Sequence, residues 1–359
     1  MVRDRLCAIL TAGSVILGCV ASGQVGEGSL VSLILSGETE VAGSRPSSVW
    51  LPVVCDGQGN VYARLGNDPS RAPSTRKISP TGKETATFSI DRALGDTKHA
   101  WDAAAYILSP SGRFYLLGAR SGSVDSRVAI LGLDAQGRLE SNFRVNARRF
   151  VPLKLGAFSD DLFLISGVIR ANARGTPYQP FTGIVDRSGK VRLVRLEGDV
   201  SPSAGALERS RPDRPPDDDQ ASQAVQAIAL GAVALSEDGT MYLSRRTPNL
   251  LVYEIRRDGH VMRRMQLPSP WVGFLPTAMT LAGDRVLVYL EAEPGGPGRA
   301  DPAHRLALYD RGSGELLRAF EVPRQAGTMA CGTRAGVTFL GPDRYNMRMV
   351  LQRGTFPPD

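Results

Sequence analysis

The histidines, cysteines and tryptophans of this 359-residue chain have the most scope for specific chemistry, and their spacing narrows what that chemistry is. His99, His260 and His304 stand far apart. They have no HExxH pattern, no second histidine nearby and no companion cysteine cluster, so they assemble no zinc-type ligand set. Each reads as an exposed turn residue. The chain has no Gly-x-Ser-x-Gly elbow and no phosphate-cradling loop. No catalytic residue, metal ligand or cofactor is therefore assigned. Asp217, Asp218 and Asp219 come nearest to calcium chemistry, but three consecutive acids in a Pro-, Ser- and Arg-rich stretch make no preformed cage, and calcium is left unsupported. The tryptophans are more informative. Trp50, Trp101 and Trp271 each stand just before an apolar stretch that reads as an innermost strand. With Asp102 and Arg149 beside them they form a candidate site for a sugar or peptide, although large rings also serve to pack repeats together.

The elements that must position these residues repeat. The clearest unit is Ala234-Leu-Ser-Glu-Asp-Gly239-Thr-Met-Tyr-Leu-Ser244, in which an apolar run meets a polar corner and a second apolar run leaves it. Glycine at such a corner supplies the positive φ that a tight turn demands. Leu250–Ile255, the corner Arg257-Asp-Gly259 and His260–Leu267 complete a four-stranded unit. Comparable second corners follow Pro80, Asp134, Asp186 and Asp310, about 50–55 residues apart with one stretched interval, a spacing that marks propeller blades. The chain reads as an all-β protein, a single β-propeller of six four-stranded blades over residues 49–359. Its last unit supplies only three strands. Leu30–Leu35, an apolar run with no hairpin partner, is expected to complete that blade, so that no sheet edge is left open at the seam. Residues 24–48 thus hold the closing strand and a linker. Residues 200–223, rich in Pro, Ser, Asp and Arg, read as a flexible insertion that buries too little apolar area to offset its ordering entropy.

Residues 1–23 read as a signal peptide, with a charged start and an apolar stretch too short to span a membrane comfortably. Two processing routes fit. Ala21-Ser22-Gly23 suits ordinary cleavage before Gln24, whereas Ile16-Leu-Gly-Cys19 resembles a lipobox, in which Cys19 would be lipidated and tether the protein to the membrane. Either route leaves Cys55 and Cys331, near the first corners of the first and last blades. Export permits a disulfide between them, and two separate thiols are the alternative. The location that follows is periplasmic or extracellular. The net charge of +7 comes mostly from scattered arginine, with no basic run interleaved with aromatics, which argues against a nucleic-acid partner.

The repeated Asp/Ser-x-x-Gly-Asn/Arg/Lys corners and the export signal resemble the six-bladed NHL/TolB-like propellers of bacteria. The resemblance covers most of the mature chain. It implies the fold and makes conceivable a metal-dependent, lactonase-like site of channel carboxylates and Asn, of which only Asp102 finds a counterpart. The expected function is therefore non-catalytic: an exported, monomeric propeller that binds a protein, peptide or glycan at one face of the ring. A channel hydrolase or lyase and a structural envelope component are the alternatives.

Overall fold

The computed structural model describes residues 31–42, 48–66, 74–89, 93–94, 101–120, 128–147, 150–169, 179–196, 232–246, 250–268, 274–292, 304–323, 326–343, 345 and 347–357. The chain enters through β1 (Val31–Ser32) and β2 (Ile34–Glu40). Blade 1 then holds β3 (Ser48–Cys55), β4 (Val61–Gly66), β5 (Thr75–Ile78) and β6 (Glu84–Phe88), and blade 2 holds β7 (Trp101–Leu108), β8 (Phe114–Arg120), β9 (Val128–Leu133) and β10 (Leu139–Arg144). Blade 3 is β11 (Phe150–Ser159), β12 (Leu162–Ile169), β13 (Gln179–Asp186) and β14 (Val191–Leu193). Blade 4 is β15 (Val233–Leu235), β16 (Met241–Arg246), β17 (Leu250–Ile255) and β18 (Val261–Leu267). Blade 5 is β19 (Phe274–Ala282), β20 (Arg285–Ala292), β21 (His304–Asp310) and β22 (Leu316–Val322), and blade 6 begins with β23 (Thr328–Gly332), β24 (Gly336–Pro342) and β25 (Met349–Thr355). The first strands touch in cyclic order, β3 to β7, β11, β15, β19, β23 and back to β3, so they line the axis of a closed six-bladed propeller.

Closure differs from the expectation in its register. The strand that completes blade 6 is β2, antiparallel to β25. Most of the apolar run Leu30–Leu35 lies earlier: Val31 and Ser32 pair in parallel with β22 of blade 5. Leu33 is the pivot, buried in the cluster that joins blades 5 and 6, while Ile34 is 75% exposed. An outermost strand is covered on one side only and is held by its backbone ladder. The polar stretch Ser36-Gly-Glu-Thr-Glu40 can therefore fill that place, and apolarity alone pointed a few residues too early. Cys55 of β3 and Cys331 of β23 are joined by a disulfide, with Cα atoms 5.4 Å apart, which ties the first blade to the last next to the axis.

The corners owe their sequence to two requirements. At Ser236–Thr240, Gly239 N–H donates to Ser236 C=O and Ser236 N–H to Thr240 C=O, while Gly239 has a φ of 81°. This is a type I turn followed by a left-handed glycine, not a two-residue loop. Where the first residue is Asp, its carboxylate takes two backbone N–H groups: Asp56 accepts from Gln58 and Asn60, and Asp134 from Gln136 and Arg138. The second corners carry an extra constraint, because each rests on the outermost strand of the preceding blade. A Cβ on Gly82 would lie 1.8 Å from the Glu40 carbonyl oxygen of β2, and one on Gly189 would lie 1.8 Å from that of Arg144 on β10. By contrast, a Cβ on the first-corner glycines Gly112 and Gly239 would meet nothing within 4 Å.

The blades pack through apolar clusters that each span two neighbours. Buried tyrosines pin the seams by sending their hydroxyls across: Tyr106 to Tyr62 C=O at 3.1 Å and Tyr309 to Pro268 C=O at 2.9 Å. Near the axis the first strands are bent. The pairing register breaks in β3, β7, β11, β19 and β23, and Pro52, Pro152 and Pro276 lie in three of them. Proline is tolerated there because a first strand has a free edge toward the channel and needs no N–H on that side. In β19 the residue left out of the ladder by the break is Thr277.

Candidate functional site

In a meander of antiparallel strands, all first and second corners fall at one end of the barrel-like ring. The starts of the first strands and the ends of the second strands fall at the other. Charged residues of the corner end mostly hold one another. Arg311 pairs with Asp238 at 2.9 Å and donates to the Tyr242 hydroxyl, and Ser111 donates to Asp160. A shallow recess of about 270 Å³ opens there between the corners of blade 4, lined by Asp238, Gly239, Thr240, Arg256, Arg257 and Asp258. Its charges are already engaged, Arg257 with Phe158 C=O and Asp238 with Arg311, so it offers little to a ligand.

The opposite end, at the seam of blades 5 and 6, is different. Glu291 lies near the end of β20, and Thr277 is the residue bulged out of β19 between Pro276 and Ala278. Thr328 opens β23. Burial raises the Glu291 carboxyl above its ordinary range, and hydrogen bonding with Thr277 and Thr328 offsets part of the rise. The Thr277 hydroxyl is buried and faces this carboxyl without reaching full hydrogen-bond geometry. Tyr289, two residues earlier on the same side of β20, sends its hydroxyl to Gly327 C=O and stacks on His304 at 5.5 Å between centroids. Burial first, and the nearby Glu291 second, push the Tyr289 phenol well above its usual range. Gly327 has a φ of 79°, and a Cβ there would stand 2.3 Å from Leu340 C=O, so only glycine lets the chain pass this closely beneath Tyr289. The result is a desolvated carboxyl at the channel mouth with two hydroxyls converging on it. A titratable group tuned by burial is the kind of feature that marks functional sites.

A second perturbed group lies on the axis-lining strand of blade 3. Burial pulls the Lys154 amine down to about 8, and no counter-charge contributes. Its side chain nevertheless keeps partial exposure.

The candidates read from sequence are placed as follows. Trp50 lies within β3, and Trp101 and Asp102 open β7, so they stand inside the first strands and not before them; their side chains, and Arg149 and Trp271 entirely, lie outside the described residues. Cys19 and the signal segment lie outside them too. Among the described residues no group of three or more His, Cys, Asp or Glu is placed to hold a metal ion. His304 stacks behind the Glu291 cluster and is no turn residue. Glu291 and Lys154 escaped the sequence reading. The available signal was the charge itself: Glu291 ends the apolar run Val286–Leu290, and Lys154 interrupts Val151–Phe158.

No protein-family model matches the chain, and no curated protein does. Solved structures do match in shape. A luciferin-regenerating enzyme superposes with a TM-score of 0.50 at 13% identity, covering 89% of this chain and 95% of its own. A member of the DUF4221 family from Bacteroides vulgatus gives 0.52 at 8% identity, covering 91% and 98%. What they share is the fold. At such identities the likeness does not extend to activity.

Proposed function

We propose that the protein is an exported propeller that binds a protein, peptide or glycan at the channel mouth opposite the corners. The observation that carries this reading is the Glu291 cluster. A carboxyl that burial makes easier to protonate, next to the orphaned Thr277 hydroxyl, offers acceptors and, once protonated, a donor. This suits the hydroxyls of a sugar or the amides of a peptide. The engaged charges of the corner end support the choice of face. Export rests on the sequence of residues 1–23, and the protein acts as a monomer.

One observation favours the second reading, a channel hydrolase or lyase: a carboxyl with a raised pKa is also what a general acid needs. The two separate in one experiment. The purified chain is screened by thermal shift and calorimetry against neutral oligosaccharides and extended peptides, and by turnover against lactones and esters. Glu291→Gln keeps the donors and acceptors of the protonated acid but cannot titrate. Binding is expected to survive in Glu291→Gln and to weaken at least tenfold in Glu291→Ala. Turnover by the wild type that disappears in Glu291→Gln would establish the enzyme instead. Unchanged binding in Glu291→Ala would remove the site from consideration.

A further inference from the structure

Seven large apolar side chains stand exposed among the described residues, and five of them lie on outermost strands around the rim: Val31 on β1, Ile34 on β2, Leu139 on β10, Met262 on β18 and Leu317 on β22. Apolar residues scattered singly over a surface are ordinary. Tyr345 and Met347 are not of that kind. They are 66% and 68% exposed and share one short connection, between β24 and β25 of blade 6. A connection from second to third strand leaves the ring at the mouth end. This one starts beside the Glu291 cluster: Leu340 of β24 is the direct partner of Thr328, and a Cβ on Gly341 would stand 2.7 Å from the Gly327 Cα.

The connection is held in shape from below. Asp343 is only 6% exposed; its carboxylate accepts the Met347 N–H at 2.7 Å, and its own N–H donates to Arg348 C=O at 2.8 Å. Arg348 in turn is engaged with Asp343 at 3.8 Å and with Glu40. A buried carboxylate thus closes the loop and its described charges satisfy one another, while two apolar side chains are left in water. A backbone fixed before a partner arrives loses little entropy when one binds. Tyrosine adds a large ring with few torsions to freeze, and methionine a thioether that adapts to apolar groups of different shape. Engaged charges beside apolar surface favour an apolar side chain over a charged one. The thioether offers a sugar neither a ring to stack on nor a hydrogen-bond donor, which favours a polypeptide over a glycan.

We propose, resting on the mouth-end binding reading, that Tyr345 and Met347 form a shelf for one large apolar side chain of an extended polypeptide whose backbone amides engage Glu291 and Thr277. The occupant is thereby narrowed to polypeptide. The lengths agree. Asp343 lies three residues past Leu340, the partner of Thr328, so shelf and cluster stand about 10–15 Å apart, which about four residues of extended chain span.

The test selects phage-displayed random dodecapeptides on the immobilised full chain and measures one selected peptide, made synthetically, by calorimetry. Selected sequences are expected to share one large apolar residue. Replacing that residue by alanine should weaken binding to the wild type by about tenfold or more, the cost of leaving such a side chain unburied. The same replacement should cost the Tyr345→Ser, Met347→Ser double variant less than about threefold. Both residues are exposed, so the double variant should melt as the wild type does. Glu291→Ala should weaken the parent peptide by about tenfold or more. A parent peptide that binds the double variant as tightly as the wild type, yet loses affinity for Glu291→Ala, overturns the shelf and leaves the mouth-end reading standing. Unchanged affinity in Glu291→Ala overturns that reading, and the shelf with it. Failure to select any peptide overturns the polypeptide occupant; a rise in melting temperature with neutral oligosaccharides would then keep the mouth-end reading for a glycan.

Discussion

The Cys55–Cys331 bridge closes a loop with a sequence separation of 276 residues, which makes its contribution calculable. In the chain-entropy account, cross-linking so long a loop removes about 19 cal/mol/K from the unfolded state, or about 5–6 kcal/mol at 25 °C as an upper figure. Two features of the structure reduce it. β2 already holds blade 6 to the start of the chain, and Cys331 sits within the apolar seam that joins blades 6 and 1, so part of the closure persists without the bond. A loss of about 3 kcal/mol is therefore expected for the Cys55→Ala, Cys331→Ala double variant. With unfolding entropy of about 2.1 cal/mol/K per residue over the roughly 230 described residues, that loss lowers the melting temperature by about 6 °C. Scanning calorimetry on the oxidised wild type, the wild type in reductant and the double variant reads it directly. The second and third should agree, both below the first. If all three melt together, the bond contributes nothing to closing the ring and the reasoning fails.

Three further outcomes follow from the same geometry. Gly82→Ala, which drives a methyl into the Glu40 carbonyl, should cost several times as much in urea denaturation as Gly112→Ala, which carries only the left-handed strain of about 1 kcal/mol; equal losses would mean that second corners do not bear on the preceding blade. Because burial raises the Glu291 carboxyl, the native protein binds its proton more tightly than the unfolded chain does, so stability falls as pH rises from the unfolded carboxyl range through the folded value. Glu291→Gln should remove that decline and gain stability at neutral pH, and identical stability–pH curves for the two proteins would contradict it. For Lys154 the sign is opposite: the folded amine loses its proton first, so wild-type stability should recover between about pH 8 and pH 10.5, by no more than about 3 kcal/mol given its residual exposure, and Lys154→Met should flatten that rise.

Most of the architecture was legible because it depends on local rules repeated many times. Each Asp/Ser-x-x-Gly corner reports a type I turn and a left-handed residue, and the second-corner glycines Gly82, Gly137, Gly189, Gly259 and Gly314, with the incomplete last unit, count the blades without reference to packing. The closing strand was misplaced because the reading sought apolar residues, and an outer strand needs backbone pairing more than burial. The Glu291 cluster was hard to read for a related reason. A desolvated carboxyl looks like any surface Glu in sequence: nothing near Glu291 in the chain shows that Thr277 and Thr328, from two different blades, converge on it. The same is true of Lys154, whose ladder neighbour Ser166 comes from another strand. The tryptophans drew attention because each stands next to the start of an innermost strand, yet position along a strand does not say where a ring points.

The proposed binding site at blades 5 and 6 requires Glu291 to be desolvated and hydrogen-bonded. Its most direct measurement is the titration of the Glu291 side-chain carboxyl by carbon NMR on protein labelled at glutamate, with Glu291→Gln supplying the assignment. A midpoint above about 4.3, moving further upward in Thr277→Val and Thr328→Val as the offsetting hydroxyls are removed, is the predicted result. A midpoint at or below the ordinary carboxyl value would show a solvated or ion-paired acid and would contradict the account.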